Sequence, residues 1–182
     1  MTARDLEQVK RLLERAVRAG AATGAVAGWR RFDDADAACA AVVGRASVHP
    51  RSQPMTEAHW FDLASLTKPL VVTPLVCLLV RDRSLSLEAT LAEVLPELDR
   101  TTLGRRRVRH LLTHTSGLPS WEPLYARTGS SESEGAVLAV ARLPMAEVGR
   151  RVAYSCPGFI LLGLVLERLT SMPLDLLFTR LV

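Results

Sequence analysis

The sequence predicts an α+β protein in which a small sheet element precedes a long run of helices. Three patterns support this fold class: amphipathic helical spacing over 3–19, two strand-like segments forming a hairpin over 25–46, and successive helical segments from residue 63 onward. The chain has 182 residues, 48% of them hydrophobic and 23% charged, which is enough to bury a core. We expect one domain, or one domain and part of another.

The N-terminal third is expected to belong to a sheet domain. Apolar residues alternate with charged ones at helical spacing over 3–19, and Gly20 ends that helix. Strand-like segments at 25–32 and 38–47 flank the polar turn DDADA, and the proline-containing stretch 48–60 is expected to be a loop. Because an isolated hairpin is marginally stable, it needs further strands, which the rest of the sequence does not offer.

A helical domain is expected from residue 63 to the last position, so the two predicted domains are 1–62 and 63–182. Its helices are defined by apolar spacing interrupted by proline, glycine and polar residues. They are predicted at Leu66–Val80, Leu87–Leu95, Val108–Thr113 and Ser133–Leu143, then from Pro157-Gly158 onward and again within SMPLDLLFTRLV. Residues 119–131 are expected to form a loop and 149–155 an extended segment.

The charge pattern argues against nucleic-acid binding. The net charge is +4, and the one dense basic run consists of Arg105, Arg106, Arg107 and Arg109. Such a run could bind phosphates or form a solvated turn before a helix. No aromatic residues interleave with these arginines, so base stacking is not indicated. We favour the solvated turn and expect no nucleic-acid partner.

No metal or cofactor is expected. The three cysteines, Cys39, Cys77 and Cys156, are odd in number and widely spaced, which fits neither a disulfide framework nor a metal site. Cys39 and Cys77 are predicted to be small core residues. His110 and His114 stand four apart on a predicted helix and could bind a metal, but no acidic third ligand follows at a suitable spacing, so structural packing is favoured.

The N-terminal sequence predicts a cytoplasmic protein without a membrane partner. MTARDLEQVKRLLERAVRAG contains no apolar signal core. The longest uncharged apolar run, Pro69 to Val80, is too short to cross a bilayer and contains Pro74.

One short segment carries a candidate nucleophile. In FDLASLTKPL at residues 61–70, Lys68 follows Ser65 by three residues, so a helix places both side chains on one face. A lysine in an apolar stretch must find a partner or lose its proton, and a deprotonated lysine can activate a serine. The alternative is a helix-capping serine followed by a lysine whose ammonium reaches solvent.

Two further strings, in this order along the chain, favour the first interpretation. They are VRHLLTHTSGLP at 108–119 and YSCPGFILLGLVLERLTSMPLD at 154–175. Together with FDLASLTKPL they resemble the penicillin-recognising serine hydrolases, which comprise class C β-lactamases, D-alanyl-D-alanine carboxypeptidases and related esterases. The resemblance covers nearly all of 5–182. It implies a β-lactamase-like fold, with the first helix and hairpin in the sheet domain and most of the helical domain after them.

The resemblance also implies a role for each matched residue. Ser65 would be acylated, Lys68 would help deprotonate it, and Tyr154 would be the partner base or the acid that protonates the leaving group. The Ser65 backbone N–H would supply half of the oxyanion hole. The implied substrate is a small-molecule ester, β-lactam or D-alanyl peptide.

This sequence departs from the family at the position of the Asn in its Tyr-x-Asn motif, which here is Cys156 in Tyr154-Ser155-Cys156. That Asn usually hydrogen-bonds the lysine and the substrate amide, whereas a thiol donates and accepts only weakly. Ester substrates are therefore favoured over amides. Trp121 and Tyr125 fall in the loop that borders the family's active site and are candidate substrate contacts.

The family's third motif, Lys/His-Thr/Ser-Gly on a later strand, has no counterpart at 156–182. Thr115, Ser116 and Gly117 lie in the wrong order to replace it and resemble a turn. We therefore expect a truncated chain, the N-terminal half of such a hydrolase, that lacks the C-terminal strands. The alternatives are a catalytically incompetent fragment, an interaction module that pairs with a complementing chain or with itself, and an acyl sensor without turnover.

Overall fold

The computed structural model of this protein describes residues 3–31, 34–124, 126 and 133–182. The chain forms two compact units, Met1–Asp62 and Leu63–Val182. Helix and sheet occur together in the first unit, whereas the second is helical throughout its described elements. This mixed content confirms the predicted α+β class.

The first unit consists of one helix and a three-stranded sheet. Helix α1 (Ala3–Arg18) precedes β1 (Gly24–Arg31), β2 (Asp34–Ser47) and β3 (Gln53–Pro54), and the strands are antiparallel in the order β1-β2-β3. Helix α1 packs against β2, in which Ala41 is buried. The predicted helix and hairpin are both present.

The sheet extends further than the sequence predicted. Four residues of the predicted DDADA turn, 34–37, belong to β2, and the loop prediction at 48–60 was wrong at Gln53–Pro54. Both differences arise from backbone pairing, which propensity does not report. A two-residue strand has no periodicity to detect, and Pro54 is tolerated because β3 lies at the sheet edge.

In the second unit, the helical segment Ala64–Arg81, called the Ser65 helix below, has an irregular start. It begins with a 3-10 turn (Ala64–Leu66), continues as a π-helical stretch (Lys68–Val72) and becomes regular in α2 (Thr73–Arg81). Pro69 has no N–H to donate to the carbonyl of Ser65, and the N–H of Thr73 bonds to the carbonyl of Lys68, five residues back. The regular hydrogen-bond pattern therefore starts only after the candidate site.

The remaining helices agree with the predicted ones in all but one case. They are α3 (Leu91–Val94), α4 (Val108–Leu112), α5 (Ser133–Ala141), α6 (Cys156–Thr170) and α7 (Leu174–Leu181), and a 3-10 turn (Pro96–Leu98) follows α3. The predicted helix Leu87–Leu95 is reduced to α3. The backbone N–H of Thr90 donates to the Glu93 carboxylate at 2.6 Å and caps the helix there, while Thr90 itself bridges to Arg107 in an extended conformation.

A leucine-rich core holds these helices together. Its fully buried members include Leu75, Val76, Leu91, Leu95, Leu98, Leu103, Val108, Leu111, Leu118, Leu161, Leu162 and Leu166. The Ser65 helix contributes one apolar side to this core. By length and composition alone this segment is also apolar enough to cross a membrane, and one such helix is weak evidence for a membrane span. The expectation that the chain has no membrane partner stays a prediction.

The prediction that Cys39 and Cys77 are core residues was wrong, since both are exposed. Cys77 follows the buried pair Leu75 and Val76 on the Ser65 helix, and its position on the helix turns its side chain away from the core. Neighbouring apolar residues in sequence therefore did not indicate burial at this position.

Adjacent residues of α6 offer a matched test of the core. Leu161 is fully buried, whereas the side chain of Ile160 is 43% exposed. We expect Leu161→Ala to lower the free energy of unfolding by about 2–5 kcal/mol, because it leaves a cavity. Ile160→Ala should cost less than about 1 kcal/mol. Urea unfolding followed by circular dichroism measures both, and equal losses would contradict this description of the core.

Candidate active site

Ser65 and Lys68 meet at the start of the Ser65 helix. The ammonium Nζ of Lys68 donates to the Ser65 hydroxyl Oγ at 3.2 Å. Ser65 is exposed and Lys68 is half-buried. Side chains three residues apart come close to eclipsing in 3-10 geometry, so the irregular helix start favours this contact. The predicted pairing of these two residues is present in the structure.

Tyr154 lies against the same ammonium group. Lys68 Nζ is 5.0 Å from the centre of the Tyr154 ring, whose side chain is half-exposed. A hydrogen bond with Ser65, followed by one with Lys68, holds the pKa of the Tyr154 phenol below its usual value. Desolvation opposes this lowering, and the charge of Lys68 adds to it to a lesser extent. The Tyr154 phenol therefore loses its proton more readily than an ordinary tyrosine.

Cys156 is the third side chain that contacts Lys68, since Nζ donates to its Sγ at 3.6 Å. Cys156 is half-buried and is the first residue of α6. The ammonium thus contacts Ser65, Tyr154 and Cys156, which sequence reasoning had named together. Their roles in catalysis stay predictions.

The segment that carries Tyr154 and Cys156 is tied to the turn HTSGLP. Ser155 is buried, and its hydroxyl donates to the carbonyl of Pro119 at 2.8 Å while accepting from the Gly158 N–H at 3.2 Å as the N-cap of α6. The N–H of Cys156 donates to the carbonyl of Ser120 at 2.9 Å. The segment around Tyr154 and the segment ending in HTSGLP therefore stabilise each other through these hydrogen bonds.

His114 makes three contacts with the Tyr154 segment. Its carbonyl accepts from the Ala153 N–H at 2.8 Å, and its ring nitrogen Nδ1 accepts from the Ser155 N–H at 3.0 Å. The centres of the His114 and Tyr154 rings are 4.7 Å apart, and Phe159 lies on the same imidazole at 4.9 Å. Burial, then the charge of Lys68, lowers the pKa of His114.

The two histidines are not a metal pair on one helix, because α4 ends at Leu112 and His114 lies beyond it with a left-handed φ of 58°. His110 Nδ1 instead accepts from the Arg107 N–H at 3.1 Å, and burial lowers its pKa, followed by the charges of the neighbouring arginines. Within the described part of the chain, no group of three His, Cys, Asp or Glu residues could hold a metal ion.

Gly117 makes the HTSGLP turn possible. Its φ is 84°, and its carbonyl accepts from the Ala146 N–H at 2.8 Å. A Cβ built at this position would lie 2.2 Å from the carbonyl oxygen of Ala146. Only glycine allows that approach, so the turn is fixed by backbone packing, as its predicted role as a structural turn requires.

The arginine run is partly neutralised by one carboxylate. Arg107 and Arg109 form ion pairs with Glu88 at 2.6 and 3.0 Å, and all three side chains are substantially exposed. These pairs occupy two of the four arginines, at the N-cap and in the first turn of α4, and their exposure is expected of a solvated run.

An apolar cavity of about 390 Å³ opens beside the candidate site. Lys68 and Cys156 lie at its lining, together with Val72, Ile160 and Leu164 from the Ser65 helix and α6. This volume falls within the range of about 300–1,000 Å³ that is common for small-molecule sites. An aliphatic group could therefore lie next to the Ser65–Lys68 pair.

The predicted loop contacts have different outcomes. Trp121 is exposed and stays a predicted substrate contact. Tyr125 lies outside the described residues.

Sequence reasoning assigned His114 to packing and missed its contacts with the Tyr154 segment. His114 lies in the segment VRHLLTHTSGLP, which resembles a family motif, and this was the one indication of a role in the site. Residue spacing could not indicate which distant residue its imidazole would contact.

Comparison with known proteins places these features in context. The family model described as β-lactamase matches residues 9–182. Esterase EstB from Burkholderia gladioli is 34% identical over 143 residues, covering 67% of this chain and 35% of that protein.

Two crystal structures resemble the fold closely. SurE, determined with D-Leu, has 32% identity and a TM-score of 0.71, covering 98% of this chain and 39% of that one. D-amino acid amidase from Ochrobactrum anthropi SV3, complexed with L-phenylalanine, has 28% identity and a TM-score of 0.74, covering 97% and 51% respectively. The chain spans about a third to a half of the length of these proteins.

The chain's two lysines, Lys10 and Lys68, provide a test of the site's electrostatics. We expect Lys68→Met to raise the pKa of Tyr154, because the variant removes a hydrogen bond and a positive charge that stabilise the phenolate. Lys10→Met should leave it unchanged. Absorbance at the phenolate band during a pH titration measures the shift, and Tyr154→Phe identifies which transition belongs to Tyr154. An unchanged midpoint in Lys68→Met would show that Lys68 does not act on this phenol.

Proposed function

This chain belongs to the β-lactamase family of serine hydrolases, as its sequence predicted, and we propose that it acts through an acyl-enzyme on Ser65. The β-lactamase-like fold is likewise confirmed. The observation that supports the proposal most directly is the contact of one ammonium, Lys68 Nζ, with Ser65 Oγ at 3.2 Å and with the Tyr154 ring at 5.0 Å. A serine with a base and a cation beside it has the arrangement of an activated nucleophile.

In the proposed acylation step, the Tyr154 phenolate accepts the hydroxyl proton of Ser65 while Oγ forms a bond to the substrate carbonyl carbon. The electron pair of the carbonyl moves to its oxygen, which the backbone N–H of Ser65 stabilises. When the tetrahedral intermediate collapses, the bond to the leaving oxygen breaks and that oxygen takes the proton from Tyr154. Lys68 stays an ammonium and keeps the phenolate accessible.

Deacylation repeats this proton exchange with water as the nucleophile and Ser65 Oγ as the leaving oxygen. Tyr154 accepts a proton from the water molecule as its oxygen attacks the acyl carbon, and the phenol then returns a proton to Ser65 Oγ. Each proton that leaves a nucleophile is therefore returned to a leaving oxygen, and the site ends in its starting state.

An ester is the favoured substrate class. Cys156 occupies the place of the family's Asn, and its thiol accepts a hydrogen bond from Lys68 without offering the substrate an amide partner. One relative is named an esterase. The structures of SurE with D-Leu and of a D-amino acid amidase add support for an acyl group of D configuration, and the apolar cavity beside Lys68 offers room for an aliphatic side chain.

A serine-directed probe tests the proposal. We expect incubation of the 182-residue chain with a fluorophosphonate to add one adduct to its intact mass. Ser65→Ala should abolish that adduct, because no nucleophile remains next to Lys68. Ser84→Ala, an exposed serine in the turn after α2, is the matched control and should be labelled like the parent chain.

Three outcomes separate the alternatives. Labelling followed by release of p-nitrophenol from p-nitrophenyl butyrate supports a hydrolase. Labelling of Ser65 with a stable butyryl adduct and no turnover would instead support an acyl sensor. A folded chain that carries no adduct would contradict activation of Ser65 and favour the incompetent fragment or the interaction module.

Cys156 provides a test of substrate class. We expect Cys156→Asn to raise the ratio of amide to ester hydrolysis by about tenfold, because an amide side chain can both donate to and accept from a substrate amide. Rates on the p-nitrophenyl ester and the p-nitroanilide of D-leucine measure that ratio. Cys77→Asn, at the other cysteine in this unit, is the control. A ratio that does not change would remove Cys156 as the basis of ester preference.

A further inference from the structure

We propose that His114 is a positioning residue that holds the Tyr154 phenol against Ser65 and Lys68. The proposal rests on the proposed function only for what Tyr154 does in catalysis. The position of the phenol can be tested without any turnover.

Three consecutive residues are held by one histidine. The His114 carbonyl accepts from the N–H of Ala153, its Nδ1 accepts from the N–H of Ser155, and its ring packs on Tyr154 between them. Two backbone bonds flanking the tyrosine fix the direction of its Cα–Cβ bond, and the imidazole ring lies beside the phenol with the ring centres 4.7 Å apart. Tyr154 itself is half-exposed, so little else is available on its outer side to keep it in place.

The contact requires a neutral imidazole. Nδ1 can accept from the Ser155 N–H only while it keeps its lone pair, which places the ring proton on Nε2. The titratable groups that face His114 are Lys68, from the Ser65 helix, and Tyr154, while Phe159 contributes an uncharged ring. Protonation would remove the acceptor and bring a second cation beside the Lys68 ammonium.

The direction of the pH dependence follows from this requirement. Burial and Lys68 hold the pKa of His114 below its ordinary value of about 6.5. The Ser155 bond is therefore complete at neutral pH and is lost as the pH falls through that lowered pKa. At neutral pH the His114 imidazole is therefore neutral, and it positions Tyr154 without taking part in proton transfer.

Two substitutions separate the hydrogen bond from simple packing. His114→Asn keeps an acceptor, since the Asn side-chain oxygen reaches about where Nδ1 lies, and Asn tolerates the left-handed backbone at this position, where φ is 58°. His114→Ala removes the acceptor and the ring. The Ser155 N–H, on a buried residue, is then left without its partner.

His110 supplies a matched control. Its Nδ1 also accepts a backbone N–H, that of Arg107 at 3.1 Å, and its pKa is also lowered by burial, but it contacts the start of α4. A loss of stability alone would follow from His110→Ala as well. Displacement of Tyr154 should follow only from His114→Ala.

The first readout is the titration of Tyr154 in a Tyr125→Phe background, which leaves one tyrosine in the chain. We expect His114→Ala to raise the Tyr154 pKa toward the ordinary value of about 10, because the phenol moves away from Ser65 and Lys68. His114→Asn and His110→Ala should keep the low pKa. An unchanged midpoint in a folded His114→Ala chain, or the same shift in His110→Ala, would overturn the proposal.

The second readout is the rate of fluorophosphonate labelling of Ser65. We expect His114→Ala to slow it about tenfold at neutral pH and His114→Asn to restore it. In the parent chain the rate should fall more steeply at acid pH than the titration of Tyr154 alone requires, because His114 protonates as well, and His114→Asn should keep only the dependence on Tyr154. If Ser65 is not labelled in any variant, the proposed function fails, whereas the tyrosine titration still decides the role of His114. If His114→Ala does not fold, the same additional acid loss in His114→Asn, beyond the Tyr154 titration, overturns the proposal.

Discussion

The contact of the Lys68 ammonium with three side chains is the interaction on which the rest of the site depends. One nitrogen reaches the Ser65 hydroxyl, the Cys156 thiol and the face of the Tyr154 ring. These partners come from two segments 86 or more residues apart in sequence, so the site exists only when the Ser65 helix and the start of α6 are held together. The buried leucines of both helices supply that constraint.

The scaffold around this contact is largely backbone. The Ser155 hydroxyl caps α6 and bonds the Pro119 carbonyl, while Gly117 allows the HTSGLP turn to pass close to Ala146. A buried backbone group that loses its hydrogen-bond partner lowers the stability of the fold, so the Tyr154 segment has few alternative positions. The HTSGLP turn thereby positions a half-exposed phenol, and that position does not depend on the phenol being buried.

The sequence predicted structure well where the local residue pattern determines it. It predicted less where the structure depends on hydrogen bonds between backbone groups that are far apart in sequence. The amphipathic α1, the hairpin and the apolar α6 follow from residue spacing, and Ser65-x-x-Lys68 implied its own contact. The edge strand at Gln53–Pro54, the π-helical stretch after Lys68 and the exposure of Cys77 did not follow. They depend on which backbone groups meet and which side of a helix faces the core. The same limit applies to His114, whose string was recognised but whose partner, Tyr154, lies 40 positions away.

The most direct test of the account is the pH dependence of Ser65 labelling by a fluorophosphonate, compared between the parent chain and Tyr154→Phe. If Tyr154 accepts the serine proton, the parent rate rises with pH through a transition below about 10, the ordinary pKa of a tyrosine, and Tyr154→Phe lacks that transition. If both chains label Ser65 at the same rate across this range, Tyr154 is not the base and the central role given to the Lys68–Tyr154 contact is wrong.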